Sequence, residues 1–175
     1  MKTYIVLLRG INVGGHKKIL MKELSLLFES LGFKNVKTYI QSGNVVFKAL
    51  ELNTIAQEIE DAIHSKFGWE VPVLLKTPSE INTILKDCPF SEEKKVKSYF
   101  ILLETNPLPE DLLETSKLSS PNEEFFITNS CVYIYYELGA GKGKLGTNFF
   151  ERKLKSKATA RNYRTIAKLL ELSTL

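Results

Sequence analysis

Leu7-Leu-Arg-Gly-Ile-Asn-Val-Gly-Gly-His-Lys-Lys18 carries an apolar strand into a glycine-rich basic loop, and a helical pattern begins directly after it. Gly10, Gly14 and Gly15 free the backbone to come close to a ligand, while Arg9, Lys17 and Lys18 place positive charge beside a helix N-terminus, whose unbonded N–H groups favour anions. Working outward, alternation and β-branched or aromatic content predict strands near 3–9, 36–41, 44–48 and 71–76. Two helical patterns interleave with them. The first puts Leu20, Leu24, Leu27, Phe28 and Leu31 on one face and stops at Gly32. The second uses Ile55, Ile59, Ile63 and Phe67, opens on a capping box between Thr54 and Gln57, and ends at Gly68. The order β-α-β-β-α-β is the split βαβ pattern of a ferredoxin-like unit, with its middle strands joined by the tight turn Ser42-Gly43-Asn44.

Beyond Thr77 the pattern loosens through Pro78, a short helix over Ile81, Ile84 and Leu85, Pro89 and the charged run Glu92-Glu93-Lys94-Lys95. Tyr99-Phe-Ile-Leu-Leu103 then echoes Tyr4-Ile-Val-Leu-Leu8. A helix opened by Pro109 follows, then a hairpin of 124–128 with 132–136, and helices near 147–156 and 162–172. The expected fold class is therefore α+β, with two ferredoxin-like halves at 1–77 and 98–175 joined by a connecting segment at 78–97. The second half is incomplete on this reading and is followed by basic C-terminal helices. A single sheet shared by both halves is the alternative.

At 175 residues, with 43% hydrophobic and 25% charged side chains, the chain is long and apolar enough for a real core, which argues against wholesale disorder. The apolar run from Tyr4 to Leu8 ends at Arg9, short of the roughly 7–15 residues of a signal-peptide core. No apolar stretch approaches the roughly 18 residues that a membrane span needs, so the expected location is the cytoplasm and no membrane partner is expected. Cys88 and Cys131 have no Cys-x-x-Cys spacing and read as buried thiols.

Three segments can meet an anion. In the first, Arg9, Gly10, Asn12, Gly14, Gly15 and Lys17 offer amides and cations, although neither the Walker spacing nor the dinucleotide Gly-x-Gly-x-x-Gly is present; turn geometry alone also accounts for the glycines. In the second, Gln41, Ser42 and Asn44 sit at a hairpin end, where Gly43 and Asn44 tolerate positive φ; the amides of Gln41 and Asn44 would face a ligand gripped by the first loop. The third, Gly139-Ala-Gly-Lys-Gly-Lys-Leu-Gly-Thr-Asn148, looks like a phosphate loop but fails the register, since Leu145 follows Lys144 where Ser or Thr would reach magnesium. Lys144 would supply charge there, and Thr147 or Asn148 would cap the next helix.

Charge adds to this, because 142–168 holds nine Lys or Arg and one acid within a chain of net charge +4. Tyr163 between Arg161 and Arg164 would suit stacking on a base. His64 reads as a structural residue near the apolar face of the second helix, and His16 as a donor to an anion. No metal-ligand cluster, nucleophile elbow or carboxylate pair stands at readable spacing, so no catalytic residue, metal or cofactor is predicted.

The first stretch, with Thr38-Tyr-Ile-Gln-Ser-Gly-Asn-Val-Val-Phe47, resembles the bacterial family known as domain of unknown function 1697. Lys144-Leu-Gly-Thr-Asn148, Thr159-Ala-Arg-Asn162 and Lys168-Leu-Leu-Glu171 extend the likeness, and Leu20 departs from it where members often carry proline. The resemblance implies a cytoplasmic bacterial protein with a two-part α+β fold and carries no established activity. The function expected on these grounds is binding of an anionic, phosphate-bearing ligand by the three loop ends together. The rival expectations are an RNA- or DNA-binding protein, a protein-interaction module, and an enzyme acting on a phosphorylated small molecule.

Overall fold

The computed structural model describes residues 1–174. It is an α+β structure with two four-stranded antiparallel sheets, not one shared sheet. The chain divides into two compact units, one of Met1–Asn82 together with the residues from Lys168 onward, the other of Thr83–Ala167.

In the first unit the order is β1 (Lys2–Leu8), α1 (Met21–Ser30), β2 (Lys34–Tyr39), β3 (Asn44–Ala49), α2 (Ile55–Phe67) and β4 (Val73–Lys76). The sheet runs β2-β3-β1-β4. Leu7 faces Asn44 across β1 and β3, Leu8 faces Val73 across β1 and β4, and Tyr39 faces Asn44 across β2 and β3. That register brings the end of β1, the β2–β3 turn and the start of β4 to one end of the sheet. Tyr4, Val6 and Leu8 share a core with Leu24, Leu27 and Phe28 of α1 and Ile55, Ile59 and Ile63 of α2, as the periods of two and 3.6 require. Phe47 anchors it, stacked on Phe33 at 4.6 Å and edge-on to Phe28 at 5.3 Å.

Helix ends differ from expectation in instructive ways. Leu20 stands before α1 in extended backbone and is 67% exposed, so it does not join the buried stripe. Thr54 makes no capping bond; its hydroxyl donates to Glu58 and Gln57 donates to Asp61, so α2 opens without the predicted box. A capping box forms instead on α3 (Pro78–Lys86), where Thr77 N–H donates to Glu80 at 2.7 Å and Glu80 N–H donates to the Thr77 hydroxyl at 3.3 Å. The stop at Gly68 is as read: φ is +73° and its N–H donates to His64 O. His64 itself is exposed rather than packed on the apolar face.

In the second unit a one-turn helix α4 (Glu92–Lys95) precedes β5 (Tyr99–Leu103), α5 (Pro109–Ser116), β6 (Glu123–Ile127), β7 (Cys131–Tyr136), α6 (Thr147–Leu154) and β8 (Ala158–Asn162); α7 (Tyr163–Thr174) begins in this unit, and its residues from Lys168 are grouped with the first. The sheet order is β6-β7-β5-β8, so this half is not incomplete: it has a fourth strand, paired with β5 from Leu103↔Ala158 to Tyr99↔Asn162. The expected helical stretch breaks at Lys155, which adopts φ +51° and sends its ammonium to Asp111 at 2.9 Å. The Ser156 hydroxyl then accepts from Thr105 N–H and donates to Thr105 O, and Glu151 accepts from Ala158 N–H at 2.7 Å, which starts the strand. Ile101, Leu103, Val132 and Ile134 form the core with Phe150 and Leu154 of α6.

Candidate functional site

The loop between β1 and α1 is a small two-rung ribbon. Asn12 N–H donates to Lys17 O at 3.2 Å, and His16 N–H donates to Val13 O at 2.9 Å around Gly14 and Gly15, whose φ values are +56° and +78°. Paired positive φ is the twist of a type I′ turn, which is why two glycines sit at this tip. Asn12 also holds the ribbon in place. Its side-chain amide donates to Ile19 O at 2.9 Å and to Gln41 O at 2.8 Å, and its Oδ1 accepts from Ile19 N–H at 2.9 Å.

The first two predicted segments are thereby brought together at one sheet end, but not with the amides presented as expected. Asn44 is fully buried and donates inward to Tyr39 O at 3.0 Å and the Ser42 hydroxyl at 2.9 Å, and the positive φ falls on Ile40 and Gly43 rather than on Asn44. Gly43 is required there on a second count: a Cβ would lie 2.7 Å from both Leu8 Cβ and Ile11 Cδ1. Asn12 is likewise a structural clip with its polar atoms engaged inside the loop.

The other side of the ribbon rests on the α2–β4 connection. Arg9 N–H donates to Pro72 O at 3.0 Å, and the Lys17 ammonium donates to Glu70 O. Trp69, next to Glu70 in the chain and 38% exposed, lines an open cleft with Gly15, His16, Lys17 and Lys18. The indole N–H, the Lys18 ammonium and the N–H groups of Gly14 and Gly15 make no hydrogen bond among the described residues. Trp69 lies in an irregular segment with no periodic pattern to mark it; its signal in the sequence is that it is the one tryptophan, placed directly after the glycine that ends a helix.

The remaining predicted residues belong to the second unit. There the loop from Gly139 contains a single 3-10 turn, Ala140–Lys142, and its main-chain N–H groups at Lys144 and Leu145 both donate to one carboxylate oxygen of Glu123 on β6. Desolvation pushes the Glu123 carboxyl upward, but the Ser120 hydroxyl, those two N–H groups and the Lys144 charge outweigh it and hold the acid below its usual range. Tyr136 closes the loop by donating to Leu145 O at 2.7 Å, and burial, reinforced by the Glu123 charge, leaves its phenol pushed up to about 12. Gly143 is packed against that ring, with a Cβ placed 2.6 Å from Tyr136 Cδ1.

Gly146, not Thr147 or Asn148, occupies the cap position of α6; its carbonyl accepts from Phe149 and Phe150 N–H. Arg161 lies on β8 with its side chain buried, donating to the Thr159 hydroxyl at 2.8 Å and Ala160 O at 2.9 Å, and desolvation lowers it to about 10. The Tyr163 ring is half-buried and packs edge-on to Phe100 at 6.2 Å.

Comparison with known proteins places the chain in a family. The sequence model described as "Protein of unknown function (DUF1697)" matches residues 1–133. The chain belongs to the DUF1697 family. That match covers the whole first unit's ribbon, hairpin turn and Trp69 connection, so the cleft is built from segments within the DUF1697 region. Among solved structures it is similar to the conserved bacterial protein SP0830 from Streptococcus pneumoniae, with a TM-score of 0.71 and 22% identity, over 97% of each chain. That likeness shows the fold. No curated protein matches. Among the described residues no helix is long and apolar enough to cross a membrane, and no group of three or more His, Cys, Asp or Glu is placed to hold a metal.

Proposed function

We propose that this DUF1697 protein binds a phosphate-bearing ligand at the loop end of its first sheet, where the ribbon tip meets the α2–β4 connection. The observation that carries the reading is the tip itself: Gly14 and Gly15 hold unspent N–H groups beside His16, Lys17 and Lys18, and Gly15 lines an open cleft with those three residues and Trp69. Backbone amides and fixed cations are the elements with which proteins hold phosphate without a named motif. Arg9 and Lys17 anchor the ribbon through their main chain and ammonium respectively, and Lys18 supplies the charge that faces solvent. Gln41 and Ser42 flank the tip from the hairpin turn to which Asn12 ties it.

The sheet orders β2-β3-β1-β4 and β6-β7-β5-β8, each with a helix after its first and third strands, support reading 1–77 and 98–175 as two ferredoxin-like halves joined by 78–97. Cys88 and Cys131 are buried and form no disulfide, which suits a reducing compartment, in keeping with a cytoplasmic protein.

Thermal shift tests the binding. A panel of inorganic phosphate, sugar phosphates and nucleotides is expected to contain a compound that raises Tm, since a ligand at about 100 times its Kd adds roughly 2.7 kcal/mol. Lys18→Ala should remove most of that shift. A flat panel, or a shift unchanged in Lys18→Ala, overturns the assignment.

A further inference from the structure

We infer that the ligand is a nucleoside phosphate whose base stacks on Trp69 while its phosphate meets the ribbon tip. This inference rests on the binding site proposed above and adds the chemistry of the group beside the phosphate. Trp69 is a prepared platform. Its backbone is fixed on one side by Gly68, whose N–H closes α2, and on the other by Glu70 O and Pro72 O, which accept from the Lys17 ammonium and Arg9 N–H. Trp69 is partly exposed and lines the open cleft together with Gly15, at which a Cβ would meet nothing within 4 Å. That open space leaves room for a flat group in the cleft beside the indole.

The walls of this cleft are mostly hydrocarbon. A sugar ring laid against them would strand several hydroxyls without partners, whereas a base offers a π face to the indole and turns its polar edge to solvent. The ammonium groups of Lys17 and Lys18 line the same cleft as the indole, which suits a molecule apolar at one end and anionic at the other. Nucleoside phosphates have that polarity, either free or as units of a single strand.

Because the chain contains one tryptophan, its tryptophan emission reports on this site alone. The test is fluorescence titration of the full chain with a nucleoside monophosphate, the matching nucleoside, ribose 5-phosphate and a short single-stranded oligonucleotide at two salt concentrations. Calorimetry on Trp69→Ala and Trp69→Phe completes it, with circular dichroism as the check on folding. The expected result is quenching by the nucleotide but not by ribose 5-phosphate, with affinity falling roughly 5- to 150-fold in Trp69→Ala and retained in large part in Trp69→Phe. Quenching by the oligonucleotide alone, with a log–log salt slope of about −0.7 per phosphate neutralised, supports the same stack with a strand as the source. Equal binding of ribose 5-phosphate and nucleotide, or nucleotide affinity unchanged in Trp69→Ala, overturns the stack and leaves the phosphate site standing. Equal binding of nucleoside and nucleotide overturns the nucleoside phosphate by removing the anion. No response in any arm overturns both.

Discussion

The ribbon from Gly10 to Lys18 and the loop from Gly139 to Asn148 are alike in composition, each rich in glycine and lysine after an apolar strand. In the second, the main-chain N–H groups of Lys144 and Leu145 converge on the Glu123 carboxylate, and the Tyr136 ring fills the space beside Gly143. In the first, the glycines turn the chain outward, and the tip amides and Lys18 are left facing solvent. The Gly/Lys loop of the second unit thus holds an anion that is part of the protein, while that of the first is where we propose an external one. What decides the matter is the neighbouring strand: β6 begins with Glu123 against its loop, while the first ribbon meets carbonyl groups and an indole.

The largest effect should come from the footing of the first ribbon. Gly43→Ala combines φ +77° with a Cβ 2.7 Å from Leu8 and Ile11, and is expected to cost about 2–4 kcal/mol in urea unfolding. A loss under about 1 kcal/mol would mean that the hairpin turn does not brace the ribbon as described. Asn12→Ala removes the three bonds to Ile19 and Gln41 and leaves a non-glycine residue at φ +55°, for about 2 kcal/mol and a weaker ligand response. If stability falls but ligand binding is untouched, the clip does not position the tip.

The next test is aimed at the second loop. Glu123→Gln should cost about 1 kcal/mol at neutral pH. Because the folded-state acid is held below its ordinary value, its stabilisation is fully present above the unfolded carboxylate range and is lost as pH falls through the lower folded value. The gap between wild type and variant should therefore close on acidification, as followed by Tm against pH. In Glu123→Ala, added phosphate should raise Tm more than in wild type, since the vacated N–H groups can take an external anion; equal shifts would break the comparison. The smallest stability change is expected for Lys18→Gln, within about 0.5 kcal/mol, while calorimetry shows weaker binding of a phosphate ligand.

The strand and helix periods made most of the element order readable, because Tyr4-Val6-Leu8 and Ile55-Ile59-Ile63 have few other ways to bury themselves. β8 has a weak signature, since Ala158-Thr-Ala-Arg-Asn162 has a single β-branched residue and follows a helix without a glycine stop; three residues, the first of them Lys155 in left-handed backbone, separate the two. Thr54 and Gln57 offer the capping spacing, but Thr77-Pro-Ser-Glu80 carries the same spacing with proline at the first helical position, and it is there that the box forms. At the candidate site the glycines and cations of the first loop were legible. Trp69 and Glu123 were not, because each acts from a segment distant in sequence, and such pairings have no periodic signature.

Asn12 grips only main-chain atoms, at Ile19 and Gln41, and the turn at Val13–His16 closes with its own hydrogen bond. The anchorage is therefore indifferent to the side chains at positions 19 and 41 and independent of those at 13 and 16. The tip behaves as an exchangeable cassette: its chemistry can be rewritten, within the limits of a type I′ turn, while the scaffold that presents it is left alone.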